Sequence, residues 1–159
     1  MTFKVRDNLR TLQFEGVHLS HSSSRRTDSP RWIEFDLYRT ESGQYVLSRV
    51  GISMIYHTRS CRLVEQYGLH AAPAAVLTIE SVPCDKCTPV IAADNDQIYP
   101  ENDRSWAQVC ASVGAVLRAV QRRDEQGSYF YTRVARFLLE EASQHDAAID
   151  QQYHNQVVS

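Results

Sequence analysis

The spacing of apolar side chains changes partway along this chain, and that change constrains its fold more than any other feature. In Trp32-Ile33-Glu34-Phe35-Asp36-Leu37-Tyr38, the residues Ile33, Phe35 and Leu37 fall on one face and Glu34 and Asp36 on the other. A half-buried β-strand requires this period of two. A loop containing Gly43 leads into Tyr45–Ile52, where Val46, Val50 and Ile52 share a face, so the two runs read as a hairpin. Thr11–His18 reads as an earlier strand, Ser53–His57 as a continuation of the sheet and Ala74–Val82 as one more strand. Ser20–Pro30 is too polar to bury apolar area and is expected to be a mobile loop.

After Asp103 the spacing becomes helical: Trp106, Val109, Cys110, Val113, Val116, Leu117 and Val120 recur at three- and four-residue steps. The pattern predicts a helix capped by Asp103 and stopped at Gly127. A second helix is predicted from Ser128 or Thr132 to Asp150, with Val134, Leu138, Ala142 and Ile149 on one stripe. Strands followed by helices specify an α+β fold, an antiparallel β-sheet in the N-terminal half covered by a C-terminal helical hairpin. With 159 residues, 43% of them hydrophobic and 23% charged, a single domain is expected over residues 1–159. It divides into a β-rich part (1–82), a connecting segment (83–102), a helical part (103–150) and a frayed tail (151–159).

The connecting segment holds the most specific chemistry. Cys84 and Cys87 form a C-x₂-C pair, the spacing of half a metal site. His57 and Cys61 are the nearest candidates for the other half, with His70 as an alternative, and the cofactor expectation is either none or one structural zinc. A redox dithiol places its first cysteine at a helix N-terminus, whereas Thr88-Pro89-Val90-Ile91 reads as extended. The remaining reading is that these are buried, unliganded thiols. Cys110 lies on the apolar stripe of the first predicted helix and belongs to the core.

Arg25, Arg26, Arg31, Trp32, Tyr38, Arg39, Tyr45 and Arg49 gather guanidinium groups and rings around the predicted hairpin. They could contact a partner chain or stack on a single-stranded nucleic acid. Against the nucleic acid, rings pack across a pleat, and Glu34 and Asp36 share the hairpin. Net charge is −2, with ten Lys or Arg against seven Asp or Glu over 1–70 and seven against twelve over 71–159, well short of a dense basic stripe. His18, His21, His57 and His70 suggest acid–base work without forming an evident trio. Asp94, Asp96, Glu101 and Asp103 lack the glycine and terminal glutamate of a calcium loop and read as a solvated acidic stretch. Tyr129, Phe130 and Tyr131, with Phe137, provide rings beyond the core stripe, a candidate docking face for a protein partner or a second copy.

No nucleotide loop or nucleophile signature is present. The leading expectation is therefore a non-enzymatic interaction module or accessory subunit. A nucleic-acid-binding component of a ribonucleoprotein or defence-type assembly is the first alternative, and a zinc or thiol enzyme centred on His57, Cys61, Cys84 and Cys87 the second. No apolar run approaches the roughly 20 residues that span a bilayer, and the charged start Lys4-Val5-Arg6-Asp7 resembles no secretory leader. No membrane association is expected, and a reducing cytoplasm is the expected location.

Overall fold

The computed structural model describes residues 1–87 and 97–155. They form two compact units, one of Met1–Ser24, Ile33–Val50 and Arg104–Ser159, the other of Arg25–Trp32 and Gly51–Asp103. The elements run β1 (Thr2–Asp7), β2 (Arg10–Ser23), β3 (Arg31–Thr40), β4 (Tyr45–Ser53), β5 (Ile55–His57), α1 (Arg62–Gln66), β6 (Ala72–Pro73), a 3₁₀ turn (Ala74–Val76), β7 (Val82–Pro83), β8 (Gln97–Pro100), β9 (Arg104–Cys110), α2 (Val113–Val120), β10 (Gln121–Arg123), β11 (Tyr129–Tyr131), α3 (Arg133–Ser143) and α4 (Ala147–His154). The fold is α+β, with a curled antiparallel sheet and C-terminal helices, as the change of apolar period predicts. No described helix is long and apolar enough to cross a membrane.

In the first unit the sheet order is β1-β2-β3-β4-β9. The alternation in β3 and β4 sends Phe35, Leu37, Tyr45 and Leu47 to one face, where they pack with Val116, Leu138, Leu139, Ala142 and Ile149 of the helices. Leu37, Leu47, Leu138 and Leu139 are fully buried, each stabilising the fold by about 2 kcal/mol through removal from water. The opposite face is not left bare. Its Val5, Val46 and Ala107 form a second small cluster, with Leu12, Phe14 and Tyr38 against it. The curl brings the sheet edges together: the Asn8 amide donates to the Ser105 carbonyl at 2.8 Å, and the Ala107 amide to Asp7 Oδ1 at 3.2 Å.

Several boundaries differ from the pattern-based expectation. The predicted helix from Asp103 begins as strand β9. Residues 104–110, with Trp106 and Val109 as strand formers, pair at the sheet edge, and tertiary pairing overrides the local spacing. Helix α2 starts only after Ser112, whose hydroxyl accepts from the Ala115 amide and caps it in place of Asp103. Gly127 sits at φ +83° in the turn between β10 and β11, where a side chain would be strained, and stops no helix. The second predicted helix breaks in two because Asp146 caps a new start, and α4 continues through His154 into the expected frayed tail. Ser20–Ser23 belong to β2 instead of a loop, with Ser20 and Ser22 buried beside Leu37 and Phe35 of β3. Ala74–Val82 is no strand: only Val82 is, in β7, and a 3₁₀ turn takes the start of the run. Strand β1 and the short α1 carry no pattern that was read from sequence. Thr88–Ile91, Asp94 and Asp96 lie outside the described residues.

One buried carboxylate ties the first unit together. Asp146 Oδ1 accepts the Ile149 amide at 3.0 Å as the α4 cap, while Oδ2 accepts the Tyr45 hydroxyl and the Arg39 guanidinium, each at 2.9 Å. Burial works to raise its pKa, but these donors outweigh it and hold the carboxyl below its ordinary value. Burial and the same contact push Tyr45 up to about 12, so its hydroxyl stays a donor. Asp146→Ala removes a cap and leaves Tyr45 and Arg39 facing a void, an expected loss of about 3 kcal/mol in urea denaturation. A lowered folded-state pKa contributes stability above the ordinary carboxylate range that is lost as pH falls through the folded value. The acid limb of the stability curve is therefore expected to be shallower in Asp146→Asn than in the unsubstituted chain.

Candidate metal centre

The second unit is organised by a small sheet of order β6-β8-β5-β7. Its register builds the site. Strand β7 runs parallel to β5 with Tyr56 opposite Pro83, and the Cys84 amide donates to the Tyr56 carbonyl at 2.9 Å, so Cys84 arrives beside His57. A turn closed by the Cys61 amide on the Thr58 carbonyl, 3.0 Å, folds Cys61 back onto the same histidine. A second turn, the Cys87 amide on the Cys84 carbonyl at 3.1 Å, presents the second thiol of the C-x₂-C pair.

The four ligand atoms of His57, Cys61, Cys84 and Cys87 lie within 4.8 Å of one another, a group that could hold a metal ion. The first three residues are buried and Cys87 is half-buried. His57 Nδ1 stands 3.5 Å from Cys61 Sγ and 3.9 Å from Cys87 Sγ. Around a tetrahedral ion with metal–sulfur bonds near 2.3 Å and metal–nitrogen bonds near 2.0 Å, nitrogen and sulfur ligands sit ~3.5 Å apart. Two backbone amides also donate to sulfur, Thr58 to Cys87 and Lys86 to Cys84, both at 3.4 Å.

The other ring nitrogen is equally constrained. His57 Nε2 is 3.1 Å from Glu101 Oε1, because β8 pairs antiparallel to β5 with His57 opposite Tyr99 and delivers Glu101 just beyond the strand. Arg31 grips both oxygens of Glu101, with Nε at 3.0 Å from Oε2, and the Ser53 hydroxyl donates to Oε2 at 2.6 Å. Burial acts to raise the Glu101 pKa, yet the hydrogen bonds from Arg31, Ser53 and His57 prevail and lower it to about 2. An ionised carboxylate only accepts, so Nε2 is the donor to Glu101, and Nδ1 is the ring atom left facing the Cys61 and Cys87 sulfurs. Metal-ligating histidines are oriented by this kind of carboxylate partner.

All four residues singled out from sequence thus converge, while the alternative ligand His70 is exposed and stands outside the group. Glu101 and Arg31 were legible only as an acidic stretch and a basic cluster, since their role depends on β5–β8 pairing. Cys110 is core, its thiol pushed up by burial.

The basic and aromatic candidates are divided between the units. In the second, Arg25 pairs with Glu80 and lies 4.4 Å over the ring of buried Trp32, Arg31 pairs with Glu101, and Arg26 is exposed. In the first, Arg39 and Tyr45 serve Asp146, Tyr38 packs between Phe3 and Phe14, and Arg49 is exposed. Of the ring triplet on β11, Tyr129 and Phe130 are exposed, whereas Tyr131 is half-buried against Tyr153.

Glu101→Gln keeps the shape but removes the charge that orients His57. It is expected to weaken metal affinity by about 10- to 100-fold in competition against a chromophoric chelator. Comparison with protein-family models, curated proteins and solved structures returns no match for this chain, so the chemistry of the site is argued from its own geometry.

Proposed function

We propose that the chain is a non-enzymatic interaction module, an accessory subunit of a larger assembly, whose Gly51–Asp103 unit is organised by one structural zinc ion. The convergence of one imidazole and three thiols within 4.8 Å carries this reading. A nitrogen–sulfur set of this kind selects zinc over hard cations. Four protein ligands complete a tetrahedron and leave no position for a substrate, which marks a structural centre and argues against a zinc enzyme here.

Packing supports the same conclusion. The described apolar cluster of this unit consists of Ile55, Cys61 and Cys84, with Leu63, Val64 and Cys87 beside it. Half of those residues are the thiols themselves. Trp32, Tyr56 and Ile98 are buried in the same unit, and metal binding would add folding free energy to this modest interior. Thiols that bind metal must stay reduced, which supports a cytoplasmic location.

Recognition of a protein partner is supported by exposed rings on the first unit. Tyr129 is 67% exposed, Phe130 43% and Phe137 53%, with Arg123 stacked over Tyr129 and Arg133 over Phe137. Exposed aromatic and arginine groups of this kind typify interface anchors. Pairing of Arg25, Arg31 and Arg39 with carboxylates diverts charge that phosphate binding requires, favouring protein over nucleic acid.

Elemental analysis of untagged protein is expected to find one zinc per chain. Chelation, or Cys87→Ser, is expected to remove it and abolish amide-exchange protection across residues 51–87 and 97–103. Metal-free protein with unchanged protection in that segment would falsify the structural-zinc reading. Tyr129→Ala with Phe130→Ala is expected to reduce co-purification of the native partner at least tenfold without shifting thermal unfolding. Undiminished recovery of that partner would move recognition off this face.

A further inference from the structure

We propose that His18, His21 and Asp36 form a second, open metal site, one that takes a borderline divalent transition ion such as nickel or zinc. The inference rests on the first unit alone and is independent of the cysteine centre. Its origin is a β-bulge. His18 lies opposite Tyr38 but Ser20 lies opposite Leu37, so β2 carries one extra residue between them. Residues three apart on an uninterrupted strand point to opposite faces. The extra residue reverses that parity, with Leu19 turned into the core and both imidazoles placed on the face that carries Asp36 and Tyr38.

Both imidazoles then reach one carboxylate oxygen. His18 Nε2 is 2.9 Å and His21 Nδ1 3.0 Å from the same oxygen, Oδ1 of Asp36. Nitrogen and oxygen ligands about 2.1 Å from a shared ion and at right angles lie ~3.0 Å apart. The side chains remain accessible, with relative exposures of 37% for His18, 46% for His21 and 26% for Asp36, so an ion can enter from solvent. The Tyr38 ring stands edge-on to His18 with centroids 5.0 Å apart and restrains its orientation. Glu141 adds a second carboxylate nearby, its Oε1 3.2 Å from the His21 amide nitrogen, and makes the surroundings favourable to a cation.

The bulge has a local cost. Ser20, the residue that follows it, is fully buried and its hydroxyl has no partner among the described residues. Bulges recur beside functional sites because they re-aim side chains, and here the re-aimed residue is a ligand-type histidine. Two imidazoles and one carboxylate suit nickel, zinc or cobalt better than magnesium or calcium. Three protein donors leave coordination positions for water or for a donor from a bound partner, in contrast with the closed cysteine group.

The test uses the full chain after saturation with zinc and removal of the excess, titrated with nickel chloride by calorimetry. One nickel ion per chain is expected to bind, at least tenfold more weakly in His18→Gln, His21→Gln or Asp36→Asn and not detectably in the double histidine variant. Each substitution keeps a polar, partly exposed side chain, and unchanged circular dichroism verifies the fold. His70→Gln, an exposed histidine elsewhere, is expected to leave the titration unaltered. No nickel binding, binding undiminished in the double variant, or equal weakening in His70→Gln overturns the proposal. Cobalt separates the two centres: thiolate ligation gives intense charge-transfer absorption that Cys87→Ser abolishes, and the imidazole–carboxylate set gives only weak visible bands that survive it.

Discussion

A fold can keep polar groups away from water only if other partners replace the water they lose. That constraint governs the Gly51–Asp103 unit. His57 is fully buried, and Cys61 and Cys84 are 6% and 7% exposed. Each has a defined neighbour: His57 Nε2 meets Glu101, itself held by Arg31 and Ser53, Cys61 Sγ meets His57 Nδ1, and the Cys84 sulfur accepts the Lys86 amide. The short strands position this set more than they stabilise it. The two-residue β7 fixes Cys84 and the four-residue β8 fixes Glu101, on either side of β5, which carries His57. Loss of an ion from such a set would leave buried thiols without their shared partner, which is why metal and fold are coupled in the proposed reading.

The first unit solves the opposite problem. Its apolar surface is ample, and what needs specification is which side chain goes to which face. Strict alternation in β3 and β4 supplies one large cluster under the helices and a second inside the curl. Asp146 then fixes the position of α4 against the sheet by spending one oxygen on a cap and the other on Tyr45 and Arg39. A lone buried carboxylate would be destabilising, but with three donors it is satisfied and specifies a single arrangement.

The sheet and the metal group were legible in sequence for different reasons. Ile33, Phe35 and Leu37 alternate without ambiguity, so β3 and its hairpin emerge at close to their observed bounds. Cys84 and Cys87 have a spacing with few other uses, and His57 and Cys61 supply upstream residues of ligand type. The stretch 104–120 misleads because Trp106, Val109 and Cys110 fit a helical step as well as a strand, and only the pairing of β9 at the sheet edge decides. Glu101 sits 44 residues from His57, and no local pattern marks a hydrogen bond made by strand register. His18 and His21 were noted but not joined, because three-residue spacing on a regular strand separates them and the bulge that unites them has no signature in a single sequence.

The use made of cations bears on the proposed choice of partner. Read as a line of sequence, Arg25, Arg31 and Arg39 look like a basic array; in the fold each is engaged by a carboxylate, of Glu80, Glu101 and Asp146 respectively. Exposed pairs such as Arg25–Glu80 contribute little to stability, yet they still neutralise a charge that a polyanion would have to attract. Arg31 and Arg39 are bound to more buried carboxylates, and diverting them to phosphate would expose Glu101 or Asp146 to an uncompensated burial cost. The rings that remain outside, Tyr129, Phe130 and Phe137, are backed by Arg123 and Arg133 and offer flat apolar area with adjacent positive charge. In the proposed reading, such a surface suits a protein partner that presents apolar side chains beside acidic ones better than a nucleic-acid backbone.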